Sequence, residues 1–131
     1  MDNLVSQMIH DAHESLKNAY APYSKYHVGC CICTIDDKLY TGVNVENGSY
    51  GLTICAEGSA ICNMITAGDR LIKKVVILSS DNLLCPPCGA CRQRIHEFST
   101  PDTMIYLCNK DSILCEMTIN ELIPLAFDIK P

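Results

Sequence analysis

The chain has 131 residues, 48% of them hydrophobic, with ten Lys and Arg against fifteen Asp and Glu and a formal net charge of -5. That length suits a single domain over residues 1–131 with a buried core, and the apolar content excludes a disordered chain. So few basic residues in an acidic chain exclude the cationic face that a polynucleotide partner needs, which leaves a small-molecule substrate as the better fit.

Leu4, Val5, Met8, Ile9, Ala12, Leu16 and Ala19 recur at helical spacing and predict an amphipathic helix over 3–19, capped by Asp2 or Asn3 and ended by Pro22. Strands are expected over 27–34 and 38–45, and the short polar turn between them makes an antiparallel hairpin. The polar stretch 44–51 follows as a loop dense in hydrogen-bonding groups. A second helix over 55–67 stops at Gly68, and the nearly continuous apolar run 73–79 reads as a strand covered on both faces. A third helix spans 89–98, with Ser99, Thr100 and Pro101 as its stop. Strands over 104–108 and 113–117 come next, and Thr118 with Glu121 forms a capping box for a short helix ended by Pro124. This order, αββαβαββα, predicts a mixed sheet flanked by helices in a layered α/β domain.

Ten cysteines are many for this length. No basic segment followed by an apolar one opens the chain, and no apolar run reaches membrane-spanning length, so a reducing cytoplasmic setting and no membrane partner are expected. Cys30, Cys31 and Cys33 lie in an apolar strand and read as small buried hydrophobes, as do Cys62 and Cys108. Cys55, Glu57, Cys88 and Cys91 read differently. Cys88 and Cys91 are spaced to meet one ion at the first turn of a helix, while Cys55 and Glu57 can meet a group over the end of another. Three thiolates leave the fourth position of a tetrahedral zinc open for water, and a carboxylate beside that water can move protons. The positive ends of the two helices would favour the thiolates, and Arg92, directly after Cys91, is the expected donor to sulfur. A rival set stays open. Cys85 with Cys55, Cys88 and Cys91 could hold a structural zinc or an iron–sulfur cluster, although the two prolines direct Cys85 away and Glu57 would then have no role.

These residues resemble the cytidine deaminase family, in its small homotetrameric class. The resemblance runs from Tyr20–Tyr26 through Val28-Gly29, Asn44–Asn47, Cys55-Ala56-Glu57 and Pro87–Gln93 to Glu121–Pro124. It implies a three-layer α/β/α sandwich with a five-stranded mixed sheet. It also implies one zinc per subunit on Cys55, Cys88 and Cys91, and a pyrimidine nucleoside, cytidine or 2′-deoxycytidine, as substrate. Glu57 would be the proton shuttle, and Ala56 would lie in the substrate site. Asn44 and Glu46 would grip the ribose hydroxyls, Tyr26 would pack on the base, and Tyr50 and Phe127 would contribute across subunit interfaces of a homotetramer with shared sites. Other aminopyrimidine nucleosides are the alternative substrates. Two departures stand out: Gly58 where three-cysteine relatives often carry Arg, and Tyr26 where Phe is common. The first removes a positive group from beside the thiolates and implies a less acidic zinc water unless Arg92 and the helix ends compensate.

Overall fold

The computed structural model describes residues 2–129. Strand alternation along Val28–Thr34 (β1) sorts its cysteines between two cores. Cys30 and Ile32 join Val75, Ile77, Ile105 and Leu107 on one face of the sheet, while Cys31 and Cys33 join Val76, Leu78 and Cys108 on the other. The remaining strands are Leu39–Val43 (β2), Ile72–Ser79 (β3), Ser99–Cys108 (β4) and Ile113–Thr118 (β5), in the order β2-β1-β3-β4-β5. Only β3 and β4 pair in parallel; the other neighbours are antiparallel. The expected five-stranded mixed sheet is therefore present.

Helix Asn3–Ser15 (α1) covers one face with Val5, Met8, Ile9 and Ala12. Asp2 caps it, its carboxylate accepting from the Val5 N–H at 2.8 Å. The helix expected to reach residue 19 tightens instead into a 3-10 turn at Leu16–Asn18. The opposite face carries Ala56–Thr66 (α2), Gly89–Glu97 (α3) and the short Ile119–Leu122 (α4), through Ala60, Met64, Ile95, Ile119 and Leu122. The capping box at Thr118 and Glu121 forms as read from the sequence.

Two expectations are corrected. Cys62 is exposed, because Ile61 and Met64 are the neighbours that turn inward on α2. Strand β4 begins at Ser99, five residues before the expected start, directly after α3. Its pairing with β3 jumps from Ile72↔Ser99 to Lys74↔Met104. The buried Thr103 hydroxyl fills that irregularity by donating to the Ile72 carbonyl at 2.6 Å and accepting from the Thr100 N–H at 2.9 Å.

The approach of α2 to the sheet positions the site. A Cβ on Gly42 of β2 would stand 2.2 Å from the Ala60 nitrogen and 2.5 Å from the Ala56 carbonyl oxygen. Only a bare backbone lets the first turns of α2 lie this close.

Candidate metal centre

Cysteine sits at the N-cap of both α2 and α3. Cys55 caps α2 in an extended conformation, and its sulfur accepts from the Gly58 N–H at 3.3 Å. Cys88 caps α3, also extended, with no hydrogen bond from its side chain to the helix. Both helix starts therefore offer their positive ends to one region. The Cys55 sulfur, the Cys91 sulfur and a Glu57 carboxylate oxygen all lie within 4.8 Å of one another.

The Cys55 and Cys91 sulfurs are in contact, yet their Cα atoms stand 7.5 Å apart. That exceeds the roughly 4.4–6.8 Å span that a relaxed disulfide bridges. The backbone spacing suits two thiolates converging on an ion, and a set of soft sulfur donors with an adjacent carboxylate is the chemistry that zinc takes. Cys88, one turn before Cys91, is exposed and lies outside the trio. Cys85 also lies outside it, half-buried against the core.

Glu57 is 5% exposed, and burial pushes its carboxyl above the usual carboxylate range, opposed by its own backbone N–H and by the charge of Arg94. Cys30 lies near it in the core, paired across the sheet with Gly42 and Ile77. Burial, then the Glu57 charge, keeps the Cys30 thiol protonated well above the ordinary thiol range. Ala56 is wholly buried between these residues and β2.

The expected sulfur donor is corrected. Arg92 points away from the thiols: its Nε donates to the Pro87 carbonyl at 2.9 Å and a terminal nitrogen donates to the Leu122 carbonyl at 2.8 Å. It ties the Cys-Pro-Pro-Cys turn to the end of α4. Arg94 is the donor, one of its terminal nitrogens lying 3.6 Å from the Cys91 sulfur and 3.8 Å from the Cys55 sulfur. Adjacency in sequence rotates Arg92 about a quarter turn from Cys91, whereas the spacing from Cys91 to Arg94 keeps both on one helix face. That spacing was the signal available in the sequence.

The polar loop folds beside the centre. Asn44 bridges two segments, its carbonyl oxygen accepting from the Val28 N–H at 3.0 Å and its amide donating to the Tyr26 carbonyl at 2.7 Å. Glu46 accepts from the N–H groups of Tyr23 at 3.0 Å and Ser24 at 3.1 Å, and from the Ser24 hydroxyl. These bonds, the Ser24 hydroxyl foremost, hold its carboxyl below the usual range. Tyr23, Ser24, Glu46, Asn47, Tyr50 and Thr53 line a cleft of about 330 Å³. The Tyr23 and Tyr50 rings meet edge to face with centroids 6.1 Å apart. Tyr26 is partly exposed, and burial, followed by the neighbouring Cys85 thiol, raises its pKa. Phe127 is exposed, while its carbonyl accepts from the Gln93 amide at 2.8 Å.

The sequence profile described as "Cytidine and deoxycytidylate deaminase zinc-binding region" matches residues 2–108. A cytidine deaminase of Halalkalibacterium halodurans is 38% identical over 120 residues, which is 92% of this chain and 91% of that protein. A cytidine deaminase of Mycoplasma pneumoniae is 40% identical over 120 residues, 90% of each chain. Among solved structures, a cytidine deaminase from Burkholderia pseudomallei superposes with a TM-score of 0.87 at 35% identity, covering 97% of this chain and 100% of that one. One from Mycobacterium tuberculosis gives 0.85 at 30% identity, covering 98% and 100%.

Proposed function

Because the chain belongs to the cytidine deaminase family, we propose that it hydrolyses cytidine and 2′-deoxycytidine to the uridine nucleosides with release of ammonia, as one domain using one zinc ion per chain. The observation that carries this reading is the buried Glu57 carboxylate meeting the Cys55 and Cys91 sulfurs at adjoining helix starts. Cys55, Cys88 and Cys91 hold the zinc, and the Cys88 side chain, which no cap hydrogen bond restrains, turns inward to complete the set. Zinc in such a site supplies the charge that makes a water nucleophilic toward C4 of the ring at neutral pH.

The chain's own residues handle the protons. Glu57 accepts one from the attacking water and passes it to N3 of the cytosine. It then carries the second proton of that water to the exocyclic amine, which departs as ammonia and leaves a carbonyl at C4. Burial raises the proton affinity of Glu57, which helps it to hold a proton and pass it on. Asn44 and Glu46 keep lone pairs and an amide hydrogen beyond those used to brace the loop, enough to grip ribose hydroxyls. Tyr26 packs on the base. The exposed Tyr50 and Phe127 reach neighbouring subunits of a homotetramer whose sites are shared. Among the described residues no helix is long and apolar enough to cross a membrane. A reducing cytoplasm keeps the zinc thiols available.

The test is the loss of cytidine ultraviolet absorbance, with ammonia release, for wild type and Glu57→Gln, zinc being quantified in both. Wild type turns cytidine over; the variant retains zinc at about one per chain and slows by about 10³-fold or more. Two zinc-loaded proteins that both leave cytidine untouched would sink the substrate assignment.

A further inference from the structure

Gly58 presents no side chain to the thiols, and a Cβ there would lie 3.3 Å from the Cys55 sulfur and 3.8 Å from Cδ of Arg94. The space that a residue at position 58 would enter from α2 is thus occupied from α3. Arg94 runs along it, and the guanidinium hydrogen bonds described for it go to the Cys55 and Cys91 sulfurs, at 3.8 and 3.6 Å. We propose that Arg94 is the positioning and charge-balancing residue of the zinc site, doing from α3 what a side chain at position 58 would do from α2. The inference rests on the three-thiolate reading given under "Proposed function".

Charge is the physical reason. A zinc ion with three thiolates sums to minus one, and a guanidinium bonded to two of the sulfurs returns the cluster to neutrality. Planar N–H groups can serve two acceptors at once, which a point-like ammonium does less well. Donation to sulfur also draws electron density from the ligands and leaves more of the zinc charge for the substrate water. Arg94 touches neither substrate nor zinc; it acts through the sulfurs.

The experiment uses zinc competition against a chromogenic chelator at fixed pH. It is paired with the near-ultraviolet thiolate-to-cobalt charge-transfer band of cobalt-substituted protein. In Arg94→Gln, zinc affinity falls about tenfold and the cobalt band moves to longer wavelength, because sulfur lone pairs without a cationic neighbour rise in energy. Gly58→Arg combined with Arg94→Gln returns both readouts toward wild type. Unchanged affinity and band in Arg94→Gln, or a double variant no better than the single one, overturns the proposal. Cys88→Ser separates this failure from a deeper one. If wild type takes up no cobalt, or Cys88→Ser keeps the full band, the three-thiolate reading fails and the role of Arg94 goes with it.

Discussion

Cys85 and Cys88 flank two prolines and live in different surroundings. Cys88 is exposed at the mouth of α3, while Cys85 is half-buried and packs against the core. Burial pushes the Cys85 thiol up, which disfavours the thiolate that a metal requires. Cys88→Ser is therefore expected to lower zinc content, and Cys85→Ser to leave it at about one per chain, by metal analysis of the purified proteins. Zinc lost from both variants would revive a four-cysteine site. The identity of the candidate ligands was readable in the sequence because thiols at this spacing have few other uses. The arginine was only half readable. Its spacing from Cys91 puts Arg94 rather than Arg92 on the Cys91 face of α3, but its reach to the Cys55 sulfur depends on how α3 packs against the start of α2.

At the scale of elements, the site depends on how near α2 stands to β2. Gly42→Ala forces a Cβ into the backbone of Ala60 and Ala56, so the first turn of α2 must shift. A cost of about 1–3 kcal/mol is expected in urea unfolding. The kcat of the remaining folded protein should also fall, because Cys55 and Glu57 ride on that turn. Native-like stability would mean that the helix yields freely and that the close approach is incidental. The helices and their caps followed from periodicity and local chemistry, down to the Thr118–Glu121 box. The start of β4 did not, because Pro101 reads locally as an end to structure while the strand is set by its pairing with Ile72 and by the buried Thr103.

Across the whole molecule, two apolar layers bury thiols that never meet the zinc site. Burial pushes Cys31 and Cys108, both on the α1 side of the sheet, up to about 12 from an ordinary 9.0. A raised folded pKa means that the native state holds its protons longer than the unfolded chain does. The stability this represents is fully present below pH 9.0 and is lost as pH rises toward about 12. Urea midpoints should fall across that window, less steeply in Cys108→Val than in wild type. Parallel profiles for the two proteins would show that Cys108 does not titrate differently on folding. The exposed Tyr50, Leu52, Ile54 and Phe127 belong to this scale as well, since they leave apolar surface uncovered on the single chain.

Most of the elements, the Asp2 and Thr118 caps, the zinc-type cysteine spacing and the family itself were written in the sequence, because each depends on residues a turn or two apart or on a motif with few alternative uses. What the tertiary structure alone decided involves segments far apart in the chain. It brought Glu57 close to the buried Cys30, laid α2 on the bare backbone of Gly42, and carried Arg94 across to the space that Gly58 leaves open. Those contacts follow from the packing of one helix against another and against the sheet, and no local pattern encodes the distance between them.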